Sequence, residues 1–477
     1  MTQDILSLSV ADLLQAFRLK KVSPVEAARA SWQQAQKYNP VFNAFVSFND
    51  EASFIKSAQA SEARWMNGTQ TGPFDGLPVT IKDGANVKGF VTSEGSLTMP
   101  STPQTGDSPY VARLREAGAV FLGKTTLPEF GHKGITKSPL TGVTRNPWDT
   151  GKTSGGSSGG AAVAAAVRMG FLHHGSDGGG SIRIPANFCG VFGHKPSAGL
   201  VPAWPPTLFS TIAVSGPITR TVEDAALMLD IITRPDINDW HSVPYQDRAF
   251  AGKLGTTPKN LRIAYARTIN NVPVDADVAR VVEAAVKKMD GLIGRVENIT
   301  LNMPSLLDTF NKQWMAIAAW ILKKTPEDQR GKMDTTLLKW ARHGAQLDLQ
   351  GYLDAELDRM MIGHQMQKLM GDYDLLVLPV TPMPAFGADV ETPETWDLSL
   401  GENWTPFTLP ANLCKLPAAS LPCGLTSKGL PVGLQIVSGY LKDALVLQTA
   451  SVLERELAFK DWLARTLAGD PLLKKAV

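Results

Sequence analysis

Residues 151–196 read GKTSGGSSGGAAVAAAVRMGFLHHGSDGGGSIRIPANFCGVFGHKP. Two loops rich in glycine and serine, at 154–160 and 175–181, flank the alanine-rich segment Ala161–Met169, which is a good helix former. Glycine-rich loops lose much backbone conformational entropy on folding. We therefore expect the two loops to bring the backbone close to a ligand, on either side of one short helix.

Helix and strand patterns alternate around this stretch. The first 65 residues are predicted to be helical, because Ser9 and the pair Ser23-Pro24 are typical of helix N-termini. Short apolar runs predict buried strands at Leu77–Ile81, Ala119–Gly123, Leu261–Tyr265, Leu375–Pro379 and Pro431–Val437. Further helices are predicted at Tyr110–Ala117, Asp277–Leu292, 303–370 and Lys442–Glu456. This alternation predicts a layered α/β fold.

The composition is that of a globular protein. Apolar residues make up 43% of the 477 residues and charged residues 19%, which excludes a disordered chain. The 47 basic and 45 acidic side chains leave a net charge of +2. Because this charge creates no long-range field, we expect neither a nucleic acid nor a membrane surface as a direct partner.

The cysteines and the start of the chain bear on its location. Cys189, Cys414 and Cys423 show no C-x-x-C spacing, so neither a disulfide framework nor a zinc ribbon is expected. A reducing cytoplasm is the expected compartment. The first residues lack a basic region and include Asp4, so we expect no signal peptide. No apolar run reaches the length that spans a membrane.

Three local motifs favour ordinary structure over function. Gly118–Thr125 matches the phosphate-loop pattern, but its four variable positions are apolar, so a buried strand is the better interpretation. Gly155–Gly159 matches the G-x-S-x-G elbow of α/β-hydrolases, but the glycine run follows the serines instead of preceding them. His173 and His174 are adjacent, so their side chains diverge, and a surface or hydrogen-bonded role is expected rather than a metal site.

Three separated elements together resemble the amidase signature family. The first is the opening stretch, which contains GGSSGG, GSDGGGSIRIPA and FCGVFGHKP. Upstream, Pro78–Asp83 resembles the family's lysine strand, and downstream Gly429–Gln435 resembles its C-terminal strand. The resemblance implies an α/β/α fold, in which helices cover both faces of a large mixed β-sheet.

The same resemblance implies a single domain over residues 1–477. Within that domain we expect a helical N-terminal part at 1–65 and a signature core at 75–220. A helical insertion at 303–370 would lie over the pocket.

The resemblance also implies a Ser–cis-Ser–Lys triad. Ser181 would be the nucleophile, Ser157 the bridging serine on a cis peptide after Gly156, and Lys82 the base. A serine needs a base within hydrogen-bond reach, and a lysine can serve only when burial keeps it neutral. Lys82 lies at the end of an apolar run, which could supply that burial. Without the resemblance, Lys82 would be an exposed charge and the serines ordinary loop or cap residues.

The triple glycine suits an oxyanion, because successive glycines can turn several backbone N–H groups toward one point. The expected donors are Gly178, Gly179, Gly180 and Ser181. Ser158 is expected to bond backbone near the triad. Asp177 and Arg183 are expected to fix the loop through charge-assisted hydrogen bonds rather than to carry protons.

Three positions depart from the commonest family pattern. Ser154 stands for proline, Gly178 for threonine and His194 for leucine. None of them removes a triad atom, so they bear on the shape of the pocket and not on the type of reaction.

The substrate pocket is less defined by the sequence. By analogy with the signature, Gly131 and His132 should lie near the acyl pocket. Trp314, Met315 and Trp320 either roof it, favouring apolar or aromatic substrates, or are ordinary core residues.

These expectations describe a serine amidohydrolase that cleaves C–N bonds of carboxylic amides, with aryl amides and carbamates as candidates. No metal and no organic cofactor is needed. The alternative function is the glutaminase component of a tRNA-dependent amidotransferase complex, which shares the signature. The expected partner is a small amide or carbamate, and a homodimer is left open.

Overall fold

The computed structural model describes residues 5–207, 209, 211–397 and 403–458, so Asp4 lies outside the described residues. The described strands are β1 Phe45–Phe48, β2 Pro78–Lys82, β3 Val120–Thr125, β4 Lys137–Ser138, β5 Gly142–Val143, β6 Leu172–Asp177, β7 Phe192–Lys195, β8 Val214–Thr219, β9 Leu261–Tyr265, β10 Gly294–Asn298, β11 Leu375–Pro379, β12 Ala418–Leu425 and β13 Pro431–Ser438. The described helices are α1 Val10–Arg18, α2 Pro24–Phe42, α3 Glu51–Asn67, α4 Pro109–Glu116, α5 Gly159–Ala166, α6 Arg183–Cys189, α7 Val222–Ile232, α8 Phe250–Lys253, α9 Ala276–Met289, α10 Leu306–Lys324, α11 Thr335–Gly344, α12 Leu349–Asp372, α13 Leu409–Leu413 and α14 Asp443–Glu456.

One large mixed sheet forms the centre of the fold. It has 11 strands in the order β1-β3-β2-β6-β8-β7-β12-β13-β11-β9-β10, and β4 and β5 form a separate pair. β2 runs parallel to both β3 and β6, whereas β6, β8, β7, β12, β13 and β11 alternate in direction. Helices flank this sheet, as the resemblance implied. Among the described residues, no helix combines the length and apolar composition needed to cross a membrane.

The predicted helix starts are confirmed. The side chain of Ser9 accepts a hydrogen bond from the backbone of Asp12 at the start of α1. Ser23 and Glu26 form a reciprocal capping box, with Pro24 as the first residue of α2. The five apolar runs form strands, including the Gly118–Thr125 segment, whose last six residues are β3 and are all buried.

One prediction about local structure was wrong. The first 65 residues are not all helical, because Phe45–Phe48 forms β1 and pairs with β3 at the edge of the sheet. Of the two alternatives for His173 and His174, the surface location does not hold, because β6 lies inside the sheet between β2 and β8, whereas His173 is hydrogen-bonded. Their side chains do alternate: His173 Nδ1 lies 2.9 Å from Thr80 Oγ1, and His174 stacks on Tyr110.

Candidate active site

Lys82 is the last residue of β2, and its side chain is buried among hydroxyl groups. The residue is 1% exposed. Its Nζ donates hydrogen bonds to Ser157 Oγ at 2.7 Å and to Ser158 Oγ and Ser176 Oγ, both at 2.9 Å. Burial lowers the pKa of Lys82 to about 7, although the negative charges of Glu94 and Asp177 oppose the shift. Burial therefore favours the uncharged form of this amine, which is the form able to accept a proton.

The bridging position has the backbone geometry that the resemblance implied. The Gly156–Ser157 peptide bond is cis. Gly156 packs so closely on the backbone of Ile135 that a Cβ at residue 156 would lie 2.5 Å from it. A Cβ on Gly131 would lie 3.3 Å from Ser157 Oγ, so Gly131 is next to Ser157. The predicted positions Lys82, Ser157 and Gly131 are thus brought together.

Ser158 and Ser181 join the two glycine-rich loops. The backbone N–H of Ser158 donates to the carbonyl of Ser181 at 3.1 Å. Ser158 Oγ in turn donates to the carbonyl of Ser176 at 3.1 Å, which is the kind of backbone contact expected for Ser158. Ser181 is 8% exposed and lines a pocket together with Gly179. Its side chain is therefore accessible from the pocket, whereas Lys82 lies behind the serines.

The glycine loop differs from the sequence prediction in one donor. The N–H of Gly180 donates to Asp177 Oδ1 at 2.7 Å, so that group is already used inside the protein. Among the described residues, the N–H groups of Gly178, Gly179 and Ser181 have no such partner. Gly178 and Gly179 pack against aromatic rings, and a Cβ would lie 3.1 Å from Trp314 and 2.7 Å from Phe310, respectively. The loop is therefore crowded on the side away from Asp177.

A buried ion pair fixes this loop. Arg183 and Asp177 are both fully buried, and two guanidinium nitrogens donate to the carboxylate at 2.9 Å. The remaining donors of Arg183 bond the Thr408 carbonyl at 2.8 Å, Gln435 Oε1 at 2.6 Å and Asn412 Oδ1 at 2.5 Å. The charge of Arg183 holds the pKa of Asp177 well below its usual range, although burial opposes this. The pair is therefore ionised and suited to holding structure rather than to moving protons.

A pocket of about 270 Å³ opens in front of Ser181. Aromatic rings from three parts of the chain line it, and charged and polar groups lie beside them. The lining residues that bear on substrate choice are Phe310, Trp314, Trp340, Trp404, Lys133, Lys339, Glu391 and Asn403.

The roof prediction holds for one of three residues. Trp314 lines the pocket, and its Nε1 donates to the His132 carbonyl at 2.9 Å. Met315 and Trp320 are not among the lining residues, although both are described, and Trp320 is 47% exposed. Successive positions of α10 point in different directions around the helix, so one face of it cannot hold all three.

His132 lies at the pocket, but its ring is engaged in the protein. Nε2 lies 2.9 Å from Thr336 Oγ1, and Nδ1 lies 3.3 Å from the carbonyl of Glu129. Burial lowers the pKa of His132 to about 4, so the ring is neutral at pH 7. His132 therefore joins the signature core to α11, and Lys133 adds an ion pair with Asp334 at 2.8 Å.

Sequence reasoning missed several groups at the site. Ser176 contacts Lys82 from β6, which was not predicted as a strand because LHHGSD is too polar for an apolar run. Glu94 and the Asp83–Lys124 ion pair at 3.0 Å lie in the same region as Lys82. Adjacency to the lysine could have indicated Asp83, but nothing in the sequence indicated Glu94. Among the described residues, no group of three or more His, Cys, Asp or Glu side chains could hold a metal ion.

Comparisons with known proteins identify the family of the chain. The family model described as Amidase matches residues 26–447. An acylamidase of Rhodococcus erythropolis is 36% identical over 475 residues, covering 96% of this chain and 97% of the relative. A glutamyl-tRNA(Gln) amidotransferase subunit of Myxococcus xanthus is 32% identical over 480 residues, with 95% and 98% covered.

Among solved structures, a bacterial aryl acylamidase of the amidase signature enzymes superposes with a TM-score of 0.87. It is 27% identical, and the match covers 96% of this chain and 98% of that one. Since the family model spans most of the chain and full-length relatives exceed 30% identity, the chain belongs to the amidase signature family.

Proposed function

We propose that this protein is a serine amidase that cleaves the C–N bond of carboxylic amides through an acyl-enzyme on Ser181. One observation carries the proposal: Nζ of the buried Lys82 lies 2.7 Å from Ser157 Oγ, close enough for the neutral amine to accept the hydroxyl proton. Burial lowers the pKa of Lys82 to about 7. A lysine in that state can act as a general base at neutral pH. Activation of Ser181 through Ser157 and Lys82 supplies the nucleophile that amide cleavage needs.

The proposed reaction has two halves. Ser181 Oγ attacks the amide carbonyl while its proton passes to Ser157 and the Ser157 proton passes to neutral Lys82. The N–H groups of Gly179 and Ser181 stabilise the oxyanion. The C–N bond then breaks, the proton returns through Ser157 to the leaving amine, and an acyl ester remains on Ser181. Water attacks this ester by the same proton route in reverse, which releases the acid and restores the serine.

The pocket favours a substrate with an aromatic or other flat apolar group. Phe310 and Trp314 stack at 5.0 Å between ring centroids, and both line the pocket with Trp340 and Trp404. Aromatic side chains bind aromatic ligands through offset or edge contacts worth about 0.5–1.5 kcal/mol beyond burial. The solved relative named an aryl acylamidase supports the same substrate class. Aryl carbamates, which present a similar carbonyl, are the second class to test.

Trp314→Ala tests the aromatic wall. We expect kcat/KM for an acyl anilide to fall about tenfold relative to that for a small alkyl amide. Trp320→Ala is the matched control, because that indole lies outside the pocket lining. An unchanged ratio in Trp314→Ala would remove the aromatic wall from the proposal.

The glutaminase function is the second candidate, because full-length relatives carry the name of a glutamyl-tRNA(Gln) amidotransferase subunit. The aromatic pocket favours the free amidase, since glutamine offers it no ring or long apolar group. Steady-state assays of the isolated protein with glutamine and with acyl anilides separate the two. Glutamine hydrolysis that exceeds anilide hydrolysis would favour the glutaminase function.

The proposal includes the expected setting of the enzyme. It would act in the cytoplasm on a small amide or carbamate, without a metal or organic cofactor and without direct contact with nucleic acid or membrane. A homodimer remains open, and light scattering coupled to size-exclusion chromatography measures it directly.

Active-site labelling tests the triad without knowledge of the substrate. The protein is treated with a small fluorophosphonate, and the modified residue is mapped by mass spectrometry in wild type and in Lys82→Ala. We expect modification at Ser181 that falls sharply in the lysine variant. Modification at Ser157 or Ser158 that does not depend on Lys82 would overturn the assignment of the nucleophile.

A further inference from the structure

Aromatic rings from two distant segments line the pocket in front of Ser181. Phe310 and Trp314, here called the α10 rings, belong to α10, whereas Trp404 lies shortly before α13. All three residues are buried, although each lines the pocket. Because both segments line one pocket, their relative position determines the shape of the space that a substrate ring would occupy.

The ring of Trp404 is packed against the protein on several sides. A Cβ on Gly134 would lie 2.8 Å from Trp404 Cζ2, so the indole lies directly on the backbone at residue 134. Phe188 stacks on the indole at 6.1 Å between ring centroids, and Phe386 meets it edge-on at 5.0 Å. These contacts restrict rotation of the ring, so Trp404 changes its place mainly together with its own segment.

The side-chain amide of Asn403 joins that segment to α10. Its Nδ2 donates to Asn311 Oδ1 at 3.0 Å, and Asn311 directly follows Phe310 on the helix. Its Oδ1 accepts hydrogen bonds from the backbone N–H and the hydroxyl of Thr405, at 3.0 and 2.6 Å. One side chain therefore connects the residues on both sides of Trp404 to the helix that carries the other two rings.

Both segments also contact the glycine loop. Thr408 Oγ1 donates to the Gly179 carbonyl at 2.6 Å, and a Cβ on Gly179 would lie 2.7 Å from Phe310. Among the described residues, however, the bond between Asn403 and Asn311 is the one side-chain hydrogen bond that directly links residues 403–408 to α10. The position of Trp404 relative to the α10 rings thus depends on this bond.

We propose that Asn403, through its hydrogen bond to Asn311, is a positioning residue that holds Trp404 in register with the α10 rings and so makes amides with a planar aromatic group the preferred substrates. The inference rests on the proposed function, because it concerns the substrate pocket in front of Ser181. An amide pair suits this task, since a directional bond between two uncharged groups fixes the segments without placing a charge beside the apolar rings.

The test measures kcat/KM for an acyl anilide and for a small alkyl amide in wild type, Asn311→Ala, Asn311→Asp and Asn403→Ala. Asn311→Ala removes the acceptor of the bond, and Asn311, itself a described residue, is not among those that line the pocket. Asn311→Asp keeps an acceptor oxygen at the same place. Asn238→Ala is the matched control, because that exposed side chain bonds Asp236 at 2.8 Å outside this pocket.

Loss of the bond should reduce the preference for the aromatic substrate. In Asn311→Ala and in Asn403→Ala we expect the ratio of kcat/KM for the anilide over that for the alkyl amide to fall about three- to tenfold, mainly through a higher KM for the anilide. The double variant should fall no further, because either substitution breaks the same bond. Asn311→Asp and Asn238→Ala should keep the wild-type ratio.

Labelling of Ser181 by a small fluorophosphonate separates this role from a structural one. The probe has no aromatic group, so we expect Asn311→Ala to be labelled at the wild-type rate. A loss of labelling in parallel with the loss of the ratio would show that the bond supports the fold as a whole, and would overturn the role in substrate choice.

The remaining outcomes separate the two proposals. A wild-type ratio in Asn311→Ala overturns the role of the bond, and it does so even if Asn403→Ala lowers the ratio, since Asn403 would then act by touching the substrate. Absence of labelling at Ser181 in wild type overturns the proposed function, and the role of Asn403 falls with it.

Discussion

Arg183, at the start of α6, and Lys82, at the end of β2, are two buried cationic side chains whose surroundings differ. Arg183 is matched by the carboxylate of Asp177 and by three further oxygens. Among the described residues, Lys82 is hydrogen-bonded to three hydroxyls and to no carboxylate. A buried charge that is paired with an opposite charge and fully hydrogen-bonded stays ionised and rigid. A buried amine that has only hydroxyl partners loses its proton more easily. Burial thus accompanies a fully paired, ionised group at Arg183 and a group with a lowered pKa at Lys82, the proposed base.

The largest expected difference between the two sites is in activity. Lys82→Met should lower kcat/KM for amides by at least about 10³-fold, because removal of one member of a catalytic unit removes the function of the whole unit. Steady-state kinetics on an acyl anilide, with Ser181→Ala as the reference for complete loss, measures it. Activity of Lys82→Met within tenfold of wild type would mean that Ser157 and Ser181 work without this base.

The next effect is on stability, at the other site. Arg183→Met should lower the free energy of unfolding by about 3–5 kcal/mol, because it leaves Asp177 as an unpaired buried charge. Urea unfolding followed by circular dichroism measures the loss. The double variant Arg183→Met/Asp177→Asn should recover part of it, since the unpaired charge is then gone. A double variant no more stable than the single one would show that packing, and not charge, dominates.

Replacement of the two cations should also change the free energy of unfolding in opposite directions. The pKa of Lys82 is about 7 in the folded protein, against about 10.4 for a free lysine, so the unfolded chain binds more protons between these values. Stability of the wild type should therefore rise with pH from 7 to 10 on account of this group. Lys82→Met removes the free-energy cost of burying a group that is protonated in the unfolded chain. It should therefore raise the free energy of unfolding at pH 7 by about 1–3 kcal/mol.

Comparison of wild type and Lys82→Met at pH 7 and pH 9.5 measures this effect. The gain in stability should shrink at the higher pH. A Lys82→Met protein that is less stable than wild type at pH 7 would contradict the view that burial of Lys82 lowers the free energy of unfolding.

The smallest expected effect is at Ser176. Ser176→Ala removes one of the three hydroxyls around the Lys82 amine, a contact worth about 0.5–1.5 kcal/mol. We expect kcat to fall about three- to tenfold with little change in KM, because the side chain acts through the lysine. Ser427→Ala, at an exposed hydroxyl bonded to Asp277, is the control. A change confined to KM would contradict this role.

The sequence predicted the parts of the site that lie within motifs. The positions of Lys82 and Ser157 came from the resemblance, and the structure brings the two side chains together at 2.7 Å. The α/β fold was predicted from apolar runs and helix caps. At these segments the local preference of the residues agrees with their burial in the structure. The strands missed, among them β6 and β7, carry polar residues such as the LHHGSD segment, which apolar patterning does not detect.

The remaining features depend on contacts between distant segments. Ser176 reaches Lys82 only through the parallel pairing of β2 and β6. The use of the Gly180 N–H by Asp177 depends on the fold of one loop, which composition does not determine. The aromatic pocket combines Phe310, Trp340 and Trp404, which are separated by up to about a hundred residues in the chain.

The strand order has a consequence for biosynthesis. Chains emerge from the ribosome N-terminus first, so Lys82, Ser157 and Ser181 all leave the ribosome well before the C-terminal strands. β12 and β13, at Ala418–Ser438, nevertheless lie in the middle of the sheet, between β7 and β11. Until they are made, β7 presents an open edge, and Arg183 lacks its bond to Gln435. The nascent enzyme should gain its activity in one late step, and chains that end before Ser438 should associate through the open edge instead of working at reduced rate.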